Sequence, residues 1–180
     1  MGESGRGKAI LVGPMGSGKS TVGRALAQRL GAELVDLDAV IVERAGRAIP
    51  EIFAAEGEAG FRDREQAALE EVAARPGPLV VATGGGVVLR EANRRTMAAN
   101  GTVVYLRADV ETLLERTAGD ANRPLLQVND PRAKLEALQA EREPLYRQAH
   151  LIVDTPGRTA QEVAEEILAR LDSADPGAVD

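Results

Sequence analysis

Gly13-Pro14-Met15-Gly16-Ser17-Gly18-Lys19-Ser20-Thr21 is the stretch that decides the fold we predict for this chain. It fits the pattern G-x-x-x-x-G-K-[ST] at every position. The apolar run 9–12 stands directly before it, and an apolar-periodic segment follows over 22–30. A strand, a glycine-rich loop and a helix in this order form the setting in which the pattern binds phosphate. A plain glycine-rich turn is the alternative, which the Lys-Ser ending disfavours.

The chemistry of this loop follows from its residue types. Gly13, Gly16 and Gly18 lack a Cβ, so the loop can fold tightly and turn its N–H groups inward. Those groups and the positive end of the following helix attract phosphate, and Lys19 adds a mobile charge. The Ser20 hydroxyl is placed to ligate Mg²⁺. We therefore expect a nucleoside triphosphate to contact Gly16, Ser17, Gly18, Lys19, Ser20 and Thr21.

Composition excludes several other classes of function. The 180 residues include no cysteine and one histidine, His150, so disulfides, thiolate sites and histidine-rich metal sites are excluded. The net charge of −6 argues against a general nucleic-acid binder, and no apolar run approaches a membrane span. We expect a single domain over 1–180 with flexible tails at 1–7 and 173–180, cytoplasmic and monomeric.

Short apolar segments alternate with helical segments along the rest of the chain. This alternation predicts an α/β protein, a three-layer α/β/α sandwich with a five-stranded parallel sheet covered on both faces. Ligands of such sheets bind beyond the carboxyl ends of the strands. The predicted strands cover 8–12, 33–35, 79–82, 102–106 and 151–153. The predicted helices cover 19–30, 39–44, 49–55, 58–74, 91–99, 110–117, 131–147 and 159–171, the last capped by Thr159 with Glu162.

Residues that could bind a metal ion or a substrate follow two of the predicted strands. Asp36 and Asp38 follow the second strand, where one carboxylate can serve Mg²⁺ while the other meets an acceptor hydroxyl. The alternative is that one of them merely caps the next helix, as Asp38 could. Three glycines, Gly84 to Gly86, follow the third strand. We interpret them as backbone that approaches a small ligand closely, against the alternative of a plain turn.

Three arginines are candidates of unequal strength. Pattern alone favours a solvent-exposed helix face for both Arg62, four residues after Glu58, and Arg142. Arg123 differs because it stands before a proline in a polar loop, where it could close over phosphates as part of a lid at about 118–130. The few aromatic residues, Phe53, Phe61, Tyr105 and Tyr146, are interpreted as packing.

An ordered set of motifs resembles the shikimate kinase family over roughly 9–171. Its members are the glycine loop, Asp36-Leu37-Asp38, Phe53 with Gly57-Glu58 and Phe61-Arg62, Gly84-Gly85-Gly86, Arg123-Pro124-Leu125-Leu126, and Arg142 before Pro144-Leu145-Tyr146. The resemblance implies a P-loop kinase with strand order 2-3-1-4-5, a substrate-binding helical segment at about 38–66 and the lid. It also implies phosphorylation of the 3-hydroxyl of shikimate by ATP, on the route to chorismate and the aromatic amino acids.

The resemblance also implies a role for each site residue. Lys19 and the loop amides would hold ATP, Ser20 and Asp36 would serve Mg²⁺, and Asp38 would meet the reacting hydroxyl. Arg123 would come down onto the phosphates. Adenine would be flanked by Arg116 and Arg158. Shikimate would be held by Arg62, Arg142, Gly84, Gly85 and Gly86, with the arginines on its carboxylate, which reverses the pattern-based interpretation of both.

Two other functions stay open at the level of sequence. One is another small-molecule kinase of the same fold, such as a gluconate kinase or a nucleotide kinase. The paired aspartates and the triple glycine argue against it. The other is a nucleotide-dependent binding module without transfer activity, against which the presence of Lys19, Asp38 and Arg123 argues.

Overall fold

One parallel sheet of five strands forms the centre of the molecule. The computed structural model describes residues 7–117 and 129–173. The strands are β1 (Lys8–Val12), β2 (Glu33–Asp36), β3 (Leu79–Ala82), β4 (Thr102–Arg107) and β5 (Leu151–Asp154). They pair in the order β2-β3-β1-β4-β5, which confirms the predicted topology. The register places Ile10 opposite Val81 on one side and Val103 on the other.

Helices cover both faces of this sheet, because successive side chains of each strand point to opposite faces. Ile10 and Val12 of β1 belong to the core on one face, and Ala9 and Leu11 belong to the core on the other. Such continuously apolar strands are typical of parallel sheets buried on both sides. The helices are α1 (Lys19–Leu30), α2 (Leu37–Ala45), α3 (Ile49–Ala74), α4 (Glu91–Asn100), α5 (Val110–Thr117), α6 (Pro131–Tyr146) and α7 (Ala160–Ser173).

Each face has its own set of helices. The first core contains side chains of α2, α3, α4 and α6, and the second contains side chains of α1 and α7. This is the predicted three-layer arrangement. At the start of α7 the Glu162 N–H donates to Thr159 Oγ1 at 3.1 Å, and the Thr159 N–H donates to Glu162 Oε1 at 3.1 Å. The predicted capping box is thereby confirmed.

One helix prediction needs correction. Helix α2 begins at Leu37 rather than at 39, because the Asp36 carboxylate accepts hydrogen bonds from the N–H groups of Asp38 and Ala39. The prediction of two helices over 49–55 and 58–74 is confirmed, because α3 consists of two helices that meet at a kink at Gly57, with φ 73° and ψ 178°. Arg64 Nε donates to Glu56 Oε1 at 2.8 Å and thereby bridges the kink.

Some predictions concern residues that the structure does not describe. The predicted tails lie outside it except for Gly7 and Ser173, and so does the predicted lid except for 129 and 130. The single-domain assignment and the substrate-binding segment over 38–66 stay predictions. Within the described ranges, no helix combines the length and the apolar character needed to cross a membrane.

Candidate active site

A cleft of about 450 Å³ opens at the carboxyl ends of β1, β2 and β3. Residues far apart in sequence meet there, because parallel strands present all their carboxyl ends at one edge of the sheet. The cleft brings together most of the predicted site residues. These are Gly16, Gly18, Lys19, Ser20, Thr21, Asp36, Asp38, Arg62, Gly84, Gly85, Gly86, Arg116 and Arg142.

The glycine loop after β1 owes its shape to backbone conformations that suit glycine. Gly13, Gly16 and Gly18 have φ of 148°, 83° and 96°. A side chain at Gly13 would also place its Cβ 2.6 Å from the Leu106 carbonyl oxygen. Lys19 is nearly buried, and its Nζ donates to the carbonyl oxygens of Gly13 at 2.6 Å and Pro14 at 2.9 Å. The loop therefore holds an ammonium group beside the N-terminus of α1, an arrangement suited to phosphate.

A second cleft of about 210 Å³ continues the first on the other side of the loop, where Ser17 lines it. Both predicted adenine neighbours lie there. Arg116 donates to the Gly16 carbonyl oxygen at 3.1 Å and to Thr155 Oγ1 at 3.2 Å. Arg158 donates to Glu166 Oε1 at 2.7 Å. The two guanidinium groups are thus fixed by the protein itself, on either side of a space adjoining the loop.

The two aspartates after β2 have different environments. One of the two aspartates does cap α2, as the alternative held, but the capping residue is Asp36 and not Asp38. Asp38 lies in the first turn and is directed toward the third strand's end: a Cβ built on Gly84 would stand 3.1 Å from Asp38 Oδ1. Ser20 and Asp36 line the same cleft and offer hard oxygen donors, which suit Mg²⁺. Among the described residues, no group of three or more acidic or histidine side chains forms a separate metal cluster.

Crowding, rather than a positive φ, limits the side chains that this turn accepts. None of Gly84, Gly85 and Gly86 has a positive φ. A Cβ built on Gly86 would stand 2.2 Å from Arg62 Nη2, whereas one built on Gly85 would stand 3.4 Å from Arg142 Nη1, an ordinary van der Waals distance. The Arg62 guanidinium therefore occupies the space of a Cβ at Gly86, and the Arg142 guanidinium packs beside Gly85.

Arg62 and Arg142 are buried, with exposed fractions of 6% and 4%. The pattern-based prediction of solvent-exposed helix faces is therefore wrong for both. Arg62 Nη1 donates to Glu65 Oε1 at 2.9 Å. The Nε atoms of both arginines are buried and have no hydrogen-bond partner among the described residues. Buried donors normally have a partner, so the pair is suited to an anion that enters the cleft.

Glu65 is a site residue that the sequence analysis missed. It is completely buried in the wall of the cleft, and a Cβ on Gly84 would stand 3.3 Å from its Oε2. Burial raises the pKa of this carboxyl group, while the adjacent Arg62 guanidinium opposes that shift. The spacing of three residues from Arg62 on a helix was the signal that could have revealed it.

Tyr146 also has more than the packing role that was predicted. Its ring stacks on Tyr105, with centroids 5.0 Å apart, and its hydroxyl donates to the Gly85 carbonyl oxygen at 2.6 Å. Phe53 and Phe61 stack at 4.7 Å and line the cleft. Arg123, predicted to act on the phosphates, lies outside the described residues.

The strand order, the glycine loop with its lysine, and the cleft that adjoins them define a P-loop kinase of small molecules.

Comparisons with known proteins identify the family. The sequence profile of the family described as shikimate kinase matches residues 15–172. A shikimate kinase of Halorhodospira halophila is 54% identical over 165 residues, or 91% of this chain and 93% of that protein. One of Pseudomonas aeruginosa is 52% identical over 168 residues, or 93% of this chain and 97% of that protein. The chain belongs to the shikimate kinase family and is a kinase.

Solved structures agree with this assignment. The shikimate kinase from Acinetobacter baumannii in complex with shikimate superimposes with a TM-score of 0.92 at 47% identity, covering 94% of this chain and 95% of that one. A gluconokinase from Sinorhizobium meliloti has a TM-score of 0.63 at 22% identity, covering 93% of both chains. The second likeness shows the shared fold alone.

Proposed function

We propose that this chain transfers the γ-phosphoryl group of ATP to the 3-hydroxyl of shikimate, giving shikimate 3-phosphate for aromatic amino acid biosynthesis. The observation that carries this proposal is the pair of buried arginines, Arg62 and Arg142, which line the same cleft as the phosphate-binding loop and whose Nε atoms have no hydrogen-bond partner among the described residues. A compact acid with several hydroxyl groups suits such a site, because planar guanidinium groups bind a carboxylate through two parallel hydrogen bonds.

The nucleotide half of the site is assigned to the loop and to two arginines. The loop amides and Lys19 would hold the phosphates, and Arg116 and Arg158 would lie beside adenine, in keeping with the second cleft between them. Arg123 would add positive charge at the transferred phosphate, an assignment that rests on the family resemblance. Ser20 and Asp36 would hold Mg²⁺, which supplies charge neutralisation at the phosphate oxygens.

The acceptor half is assigned to residues of four segments, namely α2, α3, α6 and the turn after β3. Arg62 and Arg142 would bind the shikimate carboxylate, and backbone groups of Gly84, Gly85 and Gly86 would contact its oxygens. Asp38 would orient the 3-hydroxyl and take its proton as the phosphoryl group arrives. The rate gain then comes chiefly from placing the hydroxyl in line with the phosphate and from charge stabilisation.

The acidic net charge of −6 supports a protein without a general affinity for nucleic acid. The cytoplasmic location and the monomeric state expected from the sequence stay predictions.

The decisive experiment measures ADP release from ATP and Mg²⁺ with shikimate, with gluconate, with a nucleoside monophosphate, and with no acceptor. Of the four samples, we expect rapid release of ADP only in the one that contains shikimate. NMR of its product should show one phosphate on the 3-hydroxyl. Release that depends on gluconate or on the nucleotide instead would overturn the proposal. Release of ADP at one rate in all four samples would also contradict it.

A further inference from the structure

The triple-glycine turn needs support from outside itself. Three consecutive glycines have more conformational freedom than any other tripeptide, so a turn that must present backbone groups to a ligand has to be held in place. The carbonyl oxygen of Gly84 accepts from the Val87 N–H at 3.2 Å, and that of Gly86 accepts from the Leu89 N–H at 3.1 Å. The carbonyl oxygen of Gly85 is held by a side chain, that of Tyr146.

The Tyr146 hydroxyl is well suited to this contact. Its residue is 1% exposed and lies at the end of α6, one helical turn after Arg142. Burial raises the pKa of this phenol to about 12, although the neighbouring Arg142 guanidinium opposes the rise. The phenol therefore keeps its proton at neutral pH and donates it to the Gly85 carbonyl oxygen at 2.6 Å.

This hydrogen bond fixes more than one atom. The peptide group between Gly85 and Gly86 is planar and trans, so its N–H points opposite to its carbonyl. When Tyr146 holds the Gly85 carbonyl, the Gly86 N–H is fixed in the direction away from Tyr146. The same helix carries Arg142, whose Nη1 would stand 3.4 Å from a Cβ on Gly85. The hydrogen bond of Tyr146 thereby fixes the position of the glycine turn relative to Arg142.

We propose that Tyr146 is a positioning residue of the acceptor site, which fastens the Gly84–Gly86 turn to the helix that carries Arg142. The inference rests on the proposed function, because the acceptor is taken to contact both elements. Tyr146 acts through the turn and touches no reacting atom. Its loss leaves both elements present but lets the glycine turn depart from the geometry that the acceptor requires.

Tyr105 provides a matched control. It is the other member of the stacked pair, is also fully buried, and belongs to the same core. Its hydroxyl, however, donates to Glu143 and accepts from Gln139 Nε2 at 3.1 Å, so it bonds to side chains of α6 instead of to the turn. Tyr105→Phe and Tyr146→Phe thus remove the same atom from the same stack, and only the second removes a contact with the turn.

The test compares steady-state kinetics of wild type, Tyr146→Phe and Tyr105→Phe with shikimate and ATP varied in turn. Loss of one hydrogen bond of this kind corresponds to about 3- to 10-fold in an equilibrium constant. We expect Tyr146→Phe to raise the KM for shikimate by about that factor and to leave the KM for ATP within about twofold. Tyr105→Phe should leave both constants within about twofold.

Thermal unfolding provides a second readout that stays usable if a variant has lost stability or turnover. Shikimate and, separately, ADP with Mg²⁺ raise the thermal midpoint of a protein that binds them. In Tyr146→Phe the shift produced by shikimate should shrink while the shift produced by ADP is retained. Equal shikimate responses in the two variants would overturn the positioning role. A wild-type enzyme that ignores shikimate would instead overturn the proposed function, so the two failures are distinguishable.

Discussion

The two halves of the cleft are built by different means. The phosphate-binding part of the nucleotide half is one continuous stretch, 13–21, whose glycines adopt positive φ and whose lysine is held by carbonyl oxygens of the same stretch. The acceptor half is assembled from α2, α3, α6 and the turn after β3. Its glycines have ordinary backbone conformations, and its two arginines are buried against them.

This contrast shows that one residue type can be required for two unrelated reasons. In the loop, glycine is needed because the backbone takes a conformation that disfavours a Cβ. In the turn, glycine is favoured at Gly86 because the Arg62 side chain, from another element, fills the space of a Cβ, and Arg142 packs beside Gly85. The first requirement is local and follows from the motif itself. The second exists only when the tertiary structure has formed, so it depends on the packing of α3 and α6.

The largest effect is expected where the two halves meet, at Asp38. Asp38→Asn removes the carboxylate proposed to orient the hydroxyl and take its proton, a contribution worth about 10²- to 10⁴-fold in rate. We expect kcat to fall by that factor while ADP binding by calorimetry changes less than threefold. Asp63→Asn is the control, since Asp63 is an exposed residue of α3 whose carboxylate pairs with Arg90. Near-normal turnover of Asp38→Asn would remove Asp38 from the mechanism.

The next largest effect sharpens the division between the halves. Arg142→Ala removes a guanidinium proposed to bind the shikimate carboxylate, and hydrogen bonds to charged groups are worth about 10- to 150-fold in affinity. We expect the KM for shikimate to rise by such a factor and the KM for ATP to stay within about threefold. Arg147→Ala is the matched control, because Arg147 is exposed and pairs with Glu143. An equal rise in both constants would argue against a carboxylate site.

Alanine substitutions of two glycines test whether the requirements really differ. Gly86→Ala places a Cβ 2.2 Å from Arg62 Nη2 and must displace that side chain, so we expect the KM for shikimate to rise about tenfold. Gly16→Ala forces alanine to φ 83°, so we expect a loss of about 5- to 30-fold that falls on ATP. Kinetics with each substrate varied measure the split. If both variants raised the same constant, the two halves would not be independent.

The same contrast explains how much was predictable from sequence. The five strands and the glycine loop between β1 and α1 were predicted correctly, because a contiguous motif and continuously apolar strands are local signals. The strand order, which the structure confirms, came from the family resemblance instead. For Arg62 and Arg142, in contrast, the local sequence pattern gave the wrong prediction. Their pattern alone predicted exposed helix faces, and only the family resemblance placed them in the cleft, where the structure buries them. The periodicity of a helix does not show which of its charged residues will be buried by tertiary packing.

Two errors have the same physical origin. Helix α2 was predicted to begin at 39, but the Asp36 carboxylate caps it, so the helix begins two residues earlier, at Leu37. Tyr146 was interpreted as packing, because the partner of its hydroxyl, the Gly85 carbonyl oxygen, lies 61 residues away in sequence. Both cases turn on which backbone group a side chain meets, and the chain fold decides that.

The smallest expected effect concerns the charge buried in the acceptor half. Burial raises the pKa of Glu65 above its ordinary value of 4.5, so the folded protein binds this proton more tightly than the unfolded chain does. The resulting stability is present below pH 4.5 and is lost as the pH rises through the folded pKa. In Glu65→Gln this loss disappears, so the free energy of unfolding, relative to wild type, should increase from pH 4.5 toward neutrality.

Glu56, in the same helix, gives the opposite expectation. Its hydrogen bonds with Arg64 lower its pKa, so its contribution is present above pH 4.5 and is lost as the pH falls through the folded pKa. Relative to wild type, Glu56→Gln should therefore lose stability as the pH rises through the folded pKa to 4.5, with no further change above pH 4.5. Urea unfolding of both variants below and above pH 4.5 measures the two slopes. Slopes of the same sign would contradict the raised pKa of Glu65, and with it the burial of this carboxyl group in the wall of the acceptor half.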